Sequence, residues 1–222
     1  MQIYPLSESS LIVEFGTVIA EEFDLLSLAL AQHLENEPFP GFIEAVPAYT
    51  STGVFFDPVT VRKSFPDSES AFSLVSGLIE QIAARMEVSD DRVQRTVEVP
   101  IRFGGADGPD LAELAEARGL SETEFAKIFL SVPYRVYMLG FLPGFAYMGE
   151  VDGRIAAPRL ATPRSKVRKG SVGIAGRQTG IYPFESPGGW RLIGRTDLEL
   201  FDVGRHEPSL FRAGDRVVFV DI

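Results

Sequence analysis

The stretch of sequence that decides the fold contains, in order, Gly140-Phe-Leu-Pro-Gly-Phe-Ala-Tyr147, Gly170-Ser-Val-Gly-Ile-Ala-Gly176 and Glu185-Ser-Pro-Gly-Gly-Trp190. Short apolar runs alternate there with Pro/Gly turns, a pattern typical of a barrel or sandwich of short strands. Loops this rich in Gly and Pro hold fixed backbone conformations and commonly carry function. We predict strands at Arg135–Leu139, Ser171–Ala175, Trp190–Ile193, Leu198–Phe201 and Arg216–Val220.

The chain before this stretch predicts a different architecture. Its apolar periodicity indicates the order β-α-β-β-α-β of a ferredoxin-like α+β unit. The predicted elements are strand Ser10–Phe15, helix Ala20–Leu34, strands Phe42–Val46 and Gly53–Phe56, a second helix with the buried face Phe72, Val75, Ile79, Ile82 and Met86, and strand Arg95–Ile101. Asp67 or Ser68 is the expected N-cap of the second helix.

Charge divides the chain near the same place. The net charge is −10, but residues 1–92 carry 4 Lys/Arg against 15 Asp/Glu, whereas residues 93–222 carry 17 against 16. We therefore predict an acidic α+β ferredoxin-like domain over residues 1–92 and a mainly-β barrel domain, which carries the site loops, over residues 93–222. The acidic total disfavours general nucleic-acid binding.

Composition narrows the classes of protein further. There is no cysteine, so no disulfide framework is expected. No apolar run approaches the roughly 18 residues of a membrane span, and the N-terminal residues lack the pattern of a signal peptide. His33 and His206 are the only histidines, so we expect no metal site. These features predict a cytoplasmic protein with no membrane contact.

Five motifs in the second domain resemble the allophanate hydrolase subunit 1 family. They are Pro143-Gly-Phe145, Thr162-Pro-Arg164, Gln178-Thr-Gly-Ile-Tyr-Pro183, Ser186-Pro-Gly-Gly-Trp190 and Ile193-Gly-Arg-Thr196. Leu11-Ile-Val-Glu-Phe-Gly16 extends the resemblance to the first domain. The family resemblance implies a cyclophilin-like fold for the barrel.

The resemblance also implies a function, with three alternatives open. The first is the B subunit of a multi-subunit ATP-dependent 5-oxoprolinase, which would convert the lactam 5-oxoproline to glutamate only together with subunits A and C. ATP would be used by the assembled complex, with no cofactor expected on this chain alone. The second is a histidine kinase inhibitor that binds through the barrel groove. The third is the carboxyltransferase-type half of a urea- or allophanate-utilising enzyme. We favour the first.

A basic run offers a candidate site for an anion. Seven cations lie between Asp152 and Glu185 with no acidic residue among them: Arg154, Arg159, Arg164, Lys166, Arg168, Lys169 and Arg177. Such a run creates a positive potential, which suits an anionic ligand or, alternatively, an acidic protein surface. Arg164 is the predicted catalytic member because Pro163 restrains the chain before it. Lys166 and Arg168 are the predicted cofactor-binding cations.

Neutral and aromatic residues complete the predicted site. Gln178 and Tyr182 are predicted catalytic groups, since neutral donors and acceptors of this kind can bind a small amide ring. The predicted substrate-binding residues are Thr179, Phe145, Ser186, Gly188, Gly189, Trp190 and Arg195. Ser186–Gly189 is a candidate backbone anion nest. Phe141, Phe145, Tyr147 and Trp190 either wall an apolar groove or close the core.

Overall fold

The computed structural model describes residues 1–66, 70–86 and 95–222 of the chain. Two compact units divide it, residues 1–93 and 94–222. The first contains β1 (Gln2–Ser7), β2 (Ser10–Glu14), α1 (Glu21–Asn36), β3 (Phe42–Ala48), β4 (Ser51–Phe56), α2 (Pro58–Ser64) and α3 (Ala71–Ala83). The second contains β5 (Thr96–Phe103), α4 (Leu111–Ala117), α5 (Glu122–Leu130), β6 (Tyr134–Leu139), β7 (Ala146–Gly149), β8 (Arg164–Val167), β9 (Ser171–Ala175), β10 (Gln178–Ile181), β11 (Ser186–Gly188), β12 (Arg191–Arg195) and β13 (Arg216–Asp221).

The first unit is an antiparallel sheet in the order β1-β2-β4-β3, with helices packed on it. Helix α1 packs against β3 and β4. Leu30 and Leu34 of that helix, Val54 of β4, and Val75 and Ile79 of α3 are fully buried in one cluster. Each such side chain contributes about 1.5–3 kcal/mol by leaving water. The apolar faces predicted for both helices therefore form the core of this unit.

The α+β class of the first unit is confirmed, but its predicted element order was incomplete. Two elements were missed, β1 and α2. The predicted strand at Arg95–Ile101 exists, but β5 belongs to the barrel of the second unit, because it pairs with β12 and β13. The predicted caps Asp67 and Ser68 lie outside the described residues. The hydroxyl of Ser70 caps α3 by accepting a hydrogen bond from the Ser73 N–H at 3.0 Å.

The second unit is a closed barrel in the order β10-β7-β6-β13-β5-β12-β9. All of its pairs are antiparallel except that of β5 with β13. Strand β9 is buried along its whole length, which explains its uninterrupted small and apolar sequence. A two-stranded ribbon of β8 and β11 accompanies the barrel. The predicted mainly-β barrel is thus confirmed.

The sequence predicted some of the barrel strands correctly and missed others. Ser171–Ala175 was predicted with the observed bounds. Leu198–Phe201 was predicted as a strand, but only one isolated bridge forms there, between Phe201 and Ser209. The short strands β7, β8, β10 and β11 were not predicted; each has only three or four residues, too few to show an alternating pattern.

Helices α4 and α5 also belong to the second unit. The capping box at the start of α5 is present, since Ser121 and Glu124 exchange side-chain and backbone hydrogen bonds. Helix α4 begins at Leu111. Its N-cap residue, Asp110, makes no capping bond because its carboxylate accepts bonds from Leu192 and Arg164.

Candidate functional site

A pocket of about 290 Å³ opens in the second unit among residues from four segments of the chain. The lining residues are Phe141, Phe145, Tyr147, Arg159, Pro163, Tyr182, Pro187, Gly188, Gly189 and Trp190. Aromatic walls with a few polar groups are typical of small-molecule sites, and this volume is at the small end of their range. The pocket can therefore enclose a compact ligand.

Phe145 is the centre of the aromatic wall. Its ring lies 5.5 Å from that of Trp190 at 90°, 5.4 Å from that of Tyr182 and 4.9 Å from that of Tyr147, measured between centroids. Edge-to-face pairs of this kind contribute about 0.5–1.5 kcal/mol each beyond their burial. The wall is consequently rigid, so that a ligand meets a preformed surface.

The loop before Phe145 presents one ring to solvent. Phe141 is 61% exposed and has a φ of 67°, in the left-handed region that costs a non-glycine residue about 1–2 kcal/mol. Three backbone hydrogen bonds hold this turn: Leu142 to Gly140, Phe145 to Leu142, and Gly140 to Phe145. Strained residues tend to gather at functional sites, and this one stands at the rim of the pocket.

Close approach to Tyr182 requires a glycine at position 188. A Cβ at Gly188 would lie 2.4 Å from the Tyr182 hydroxyl oxygen, whereas a Cβ at Gly189 would find its nearest atom at 3.6 Å. Neither glycine has a positive φ, which one residue of an anion nest needs. Gly188 therefore makes room for a phenol, and the predicted nest geometry does not form.

The seven cations of the basic run differ sharply in their surroundings. Six have a carboxylate within 4 Å: Arg154 with Asp152, Arg164 with Asp110, Lys166 with Glu185, Arg168 with Asp107, Lys169 with Glu199 and Arg177 with Glu150. Arg159 has no such partner within residues 1–66, 70–86 and 95–222. Its guanidinium carbon stands 5.9 Å from the centre of the Trp190 ring, a cation–π contact.

The backbone on both sides of Arg159 is anchored. The Gly176 N–H donates to the Ala157 carbonyl at 2.6 Å, and the Leu160 N–H donates to the Gly189 carbonyl at 2.7 Å. Pro158, which lies between these two anchors, has its own φ fixed by its ring and restricts the conformation of Ala157 before it. The cation is thereby held at the pocket.

The two phenols of the pocket stay neutral. Burial raises the pKa of Tyr182 above its ordinary value of about 10, opposed by a backbone hydrogen bond from Trp190 and by the charge of Arg159. Burial likewise raises the pKa of Tyr147, and Arg159 again opposes the shift. At neutral pH both hydroxyls therefore keep their protons and can donate hydrogen bonds to a ligand.

Comparison with known proteins identifies the family. The model of the carboxyltransferase domain, subdomain C and D, matches residues 1–211. The chain belongs to this family. The resemblance found in the five motifs is thus confirmed.

Two curated relatives cover this carboxyltransferase-domain chain almost completely. It is 46% identical over 222 residues to the 5-oxoprolinase B subunit of Bacillus subtilis, covering 100% of this chain and 92% of that protein. It is 40% identical over 219 residues to the 5-oxoprolinase B subunit of Escherichia coli O157:H7, covering 98% of this chain and 94% of that protein. The crystal structure of TTHA0988 superposes with a TM-score of 0.82 at 36% identity, covering 96% of this chain and 39% of that longer one.

Five of the residues predicted from sequence line the pocket of this carboxyltransferase-domain protein: Phe145, Tyr182, Gly188, Gly189 and Trp190. Phe141 and Tyr147, predicted as possible walls of a groove, join them there. Arg159 was named only as one member of the basic run, and Pro163 and Pro187 were not among the predicted site residues. No local signal separates Arg159 from the other cations, because their carboxylate partners include residues as distant in sequence as Asp110 and Glu199.

Arg164 lies behind the pocket wall and not in its lining. Its Nη2 donates to the Asp110 carboxylate at 2.6 Å, and that carboxylate also accepts the Leu192 N–H at 2.6 Å. Its Nη1 donates to the carbonyl of Trp190 at 3.5 Å. Arg164 thus ties β8 to the start of β12 and positions Trp190.

The other predicted polar residues also lie outside the lining. The buried Thr179 donates its hydroxyl to the Gly173 carbonyl at 2.9 Å, so it is used within the barrel. Gln178 pairs in β10 with Ala175 and Gly149. Ser186 pairs with Val167 in the ribbon of β8 and β11. Lys166 forms an ion pair with Glu185 at 2.9 Å.

Arg168 and Arg195 belong to a separate charge cluster. The Asp107 carboxylate accepts a hydrogen bond from the Arg102 guanidinium at 3.1 Å. It also forms ion pairs with Arg168 at 3.5 Å and with Arg195 at 3.7 Å. Asp197 pairs with Arg102 at 2.8 Å and with Arg195 at 3.4 Å. The loop Gly104–Gly108 therefore carries the carboxylate that pairs with three arginines.

None of the helices in the described part of the chain is long and apolar enough to cross a bilayer. Its described residues also contain no group of three His, Asp or Glu side chains placed to hold a metal ion.

Proposed function

We propose that this chain is the B subunit of a 5-oxoprolinase and that its aromatic pocket binds the lactam ring of 5-oxoproline. Similarity at 46% and 40% identity over nearly the full length of two proteins of that name supports the role. The single structural observation that carries the proposal is the pocket of about 290 Å³, whose rigid aromatic wall surrounds two neutral phenols and one cation.

The pocket matches the chemistry of a small lactam. The flat amide ring packs against aromatic faces, which replaces its contacts with water. The Tyr147 and Tyr182 hydroxyls donate to the lactam carbonyl, since both phenols stay protonated. A hydrogen bond to that oxygen draws electron density from the carbonyl carbon and prepares the ring for opening.

The lining also explains why we assign the chain a partner. Among the ten lining residues there is no carboxylate, imidazole, thiol or aliphatic hydroxyl to act as nucleophile or general base. This chain binds and orients the ring, and the group that activates water must come from another polypeptide. We propose subunits A and C of the same enzyme as those partners.

ATP consumption belongs to the assembled complex in this proposal. Each of the predicted cofactor cations already has a carboxylate beside it, Glu185 for Lys166 and Asp107 for Arg168, so neither offers an uncompensated charge to a phosphate. In this proposal, no step on this chain uses ATP. We place the complex in the cytoplasm, where ATP is available to it.

Reconstitution tests the proposal. The purified chain, mixed with subunits A and C, is expected to release glutamate from 5-oxoproline in the presence of ATP, whereas the chain alone releases none. The double variant Tyr147→Phe, Tyr182→Phe is expected to co-purify with its partners but to lose at least tenfold in glutamate release. Tyr4→Phe, which removes an exposed hydroxyl of β1, is the matched control.

Two results would reject the proposal. One is glutamate release by the isolated chain at the rate of the complex. The other is a wild-type chain that ignores subunits A and C and instead blocks autophosphorylation of a sensor kinase. The second result would favour the inhibitor alternative.

A further inference from the structure

Arg159 differs from the other cations of the basic run in two respects: whether a carboxylate compensates its charge, and where it lies. The carboxylates that lie beside the other six compensate their charges. Arg159 is exposed, lines the pocket and faces the ring of Trp190 with its guanidinium. In the part of the chain that the structure describes, no carboxylate compensates it.

An uncompensated guanidinium at the edge of an aromatic pocket is suited to one kind of ligand group. Its five N–H donors form a planar fork that matches a carboxylate through two parallel hydrogen bonds. The guanidinium carbon stands 5.9 Å from the centre of the Trp190 ring, and this cation–π contact keeps the charge at the aromatic edge of the pocket. The backbone anchors at Ala157 and Leu160 fix the position from which the side chain reaches.

We infer that Arg159 binds the carboxylate of the substrate and makes the pocket selective for small ring compounds that carry a carboxylate beside the ring amide. This inference rests on the proposed function, in which the ring amide lies against the aromatic wall. Neutral lactams of the same size make the same aromatic contacts but leave Arg159 unpaired. Arg159 is thus a specificity-determining residue, while the phenols act on the amide.

The pairing of the other cations strengthens the assignment. Arg164, the next arginine along the chain, is held by Asp110 at 2.6 Å behind the wall. Arg177 is held by Glu150 at 2.7 Å. Either would have to break an existing ion pair to bind a ligand, whereas Arg159 has none to break among the described residues.

The experiment uses the full chain and its single tryptophan. Trp190 is the only tryptophan in the sequence and lies in the pocket, so its fluorescence reports ligand binding directly. Titrations with 5-oxoproline and with 2-pyrrolidinone, the same ring without the carboxylate, are compared for four proteins. These are wild type, Arg159→Gln, Arg159→Lys and the control Arg154→Gln, which removes an exposed arginine already paired with Asp152.

We expect wild type to bind 5-oxoproline at least tenfold more tightly than 2-pyrrolidinone. Arg159→Gln is expected to lose at least tenfold in affinity for 5-oxoproline while its affinity for 2-pyrrolidinone changes less than twofold. Arg159→Lys should recover part of the loss, because it restores charge without the planar fork. Arg154→Gln should match wild type. This pattern supports a carboxylate contact.

Three results would overturn the inference. Wild type without preference between the two rings excludes carboxylate recognition. An Arg159→Gln variant that binds 5-oxoproline like wild type excludes this residue. Equal losses for both ligands mean that Arg159 only supports Trp190. Glutamate release by the reconstituted complex is measured separately, so carboxylate selectivity without turnover rejects the activity and retains the inference.

Discussion

A methyl group at position 188 tests whether the wall of the pocket is as rigid as its contacts indicate. In Gly188→Ala the new Cβ lies 2.4 Å from the hydroxyl oxygen and 2.8 Å from two ring carbons of the buried Tyr182. Since these atoms belong to a rigid buried ring and not to the end of a flexible side chain, we expect the variant to lose about 1–3 kcal/mol of stability through overpacking. We also expect at least a tenfold loss in affinity for 5-oxoproline. Chemical denaturation and Trp190 fluorescence measure the two effects.

The neighbouring glycine is the control. In Gly189→Ala the nearest contacts are atoms of Pro163 at 3.6 Å or more, an ordinary packing distance. That variant should stay within about 0.5 kcal/mol of wild type. If the two variants behave alike, Tyr182 moves easily and the preformed wall is wrong.

At the residue scale, sequence could identify aromatic and glycine positions better than charged ones. Phe145, Trp190 and Gly188 stand in motifs whose turns and rings restrict where they can lie. The preference for Arg164 over Arg159 rested on a neighbouring proline. What distinguishes the two is Asp110, a carboxylate 54 positions from Arg164, and no local pattern reveals such a partner.

The capping box of α5 gives a prediction at the scale of one element. The Ser121 hydroxyl accepts the Glu124 N–H at 3.2 Å, and the Glu124 carboxylate accepts the Ser121 N–H at 2.8 Å. Helix α5 carries Phe125 and Phe129 into the core of the second unit. Ser121→Ala should therefore destabilise the protein by about 1 kcal/mol, measured by chemical denaturation. Thr123→Ala, an exposed change in the same turn, should have little effect, and an equal loss there would contradict the capping role.

The sequence predicted the helices that have an apolar face and the strands that form a longer run of apolar residues. It missed the shorter elements. Helix α2 was missed although its signal is present: Asp57 caps it by accepting the Val59 N–H at 3.0 Å, and Pro58 follows at the first position. Its seven residues are too few for a clear periodicity. The membership of β5 in the barrel could not be deduced, because its partner strands lie about a hundred residues further along the chain.

For the whole molecule, buried phenols predict a loss of stability in alkali. Burial raises the pKa values of Tyr134 and Tyr182 above about 10 in the folded state, whereas in the unfolded chain these groups lose their protons near that pH. The contribution of these two groups to the free energy of unfolding is complete below pH 10. It declines as the pH rises above 10, since the unfolded state then holds fewer protons than the folded state. Each group that stays protonated adds a slope of about 1.4 kcal/mol per pH unit.

Denaturation of the isolated chain between pH 8 and pH 11 measures this slope. Tyr182→Phe is expected to reduce it, because the variant has one buried phenol fewer. Tyr4→Phe, at an exposed position on β1, should leave it unchanged. A slope that is the same in all three proteins would mean that Tyr182 ionises in the folded state.

During synthesis, β5 leaves the ribosome long before the strands that flank it in the barrel. Arg95 and Asp215, which join the starts of β5 and β13 by an ion pair, are separated by 120 positions. At ordinary rates of translation this interval lasts roughly 6–24 s. The sheet of the first unit, by contrast, uses only strands that end by Phe56, so it can form while β5 still lacks its partner strands. The waiting strand carries Glu98, Pro100 and Arg102 at alternate positions, and charges and proline are the residues that keep an unpaired strand from joining a neighbouring nascent chain.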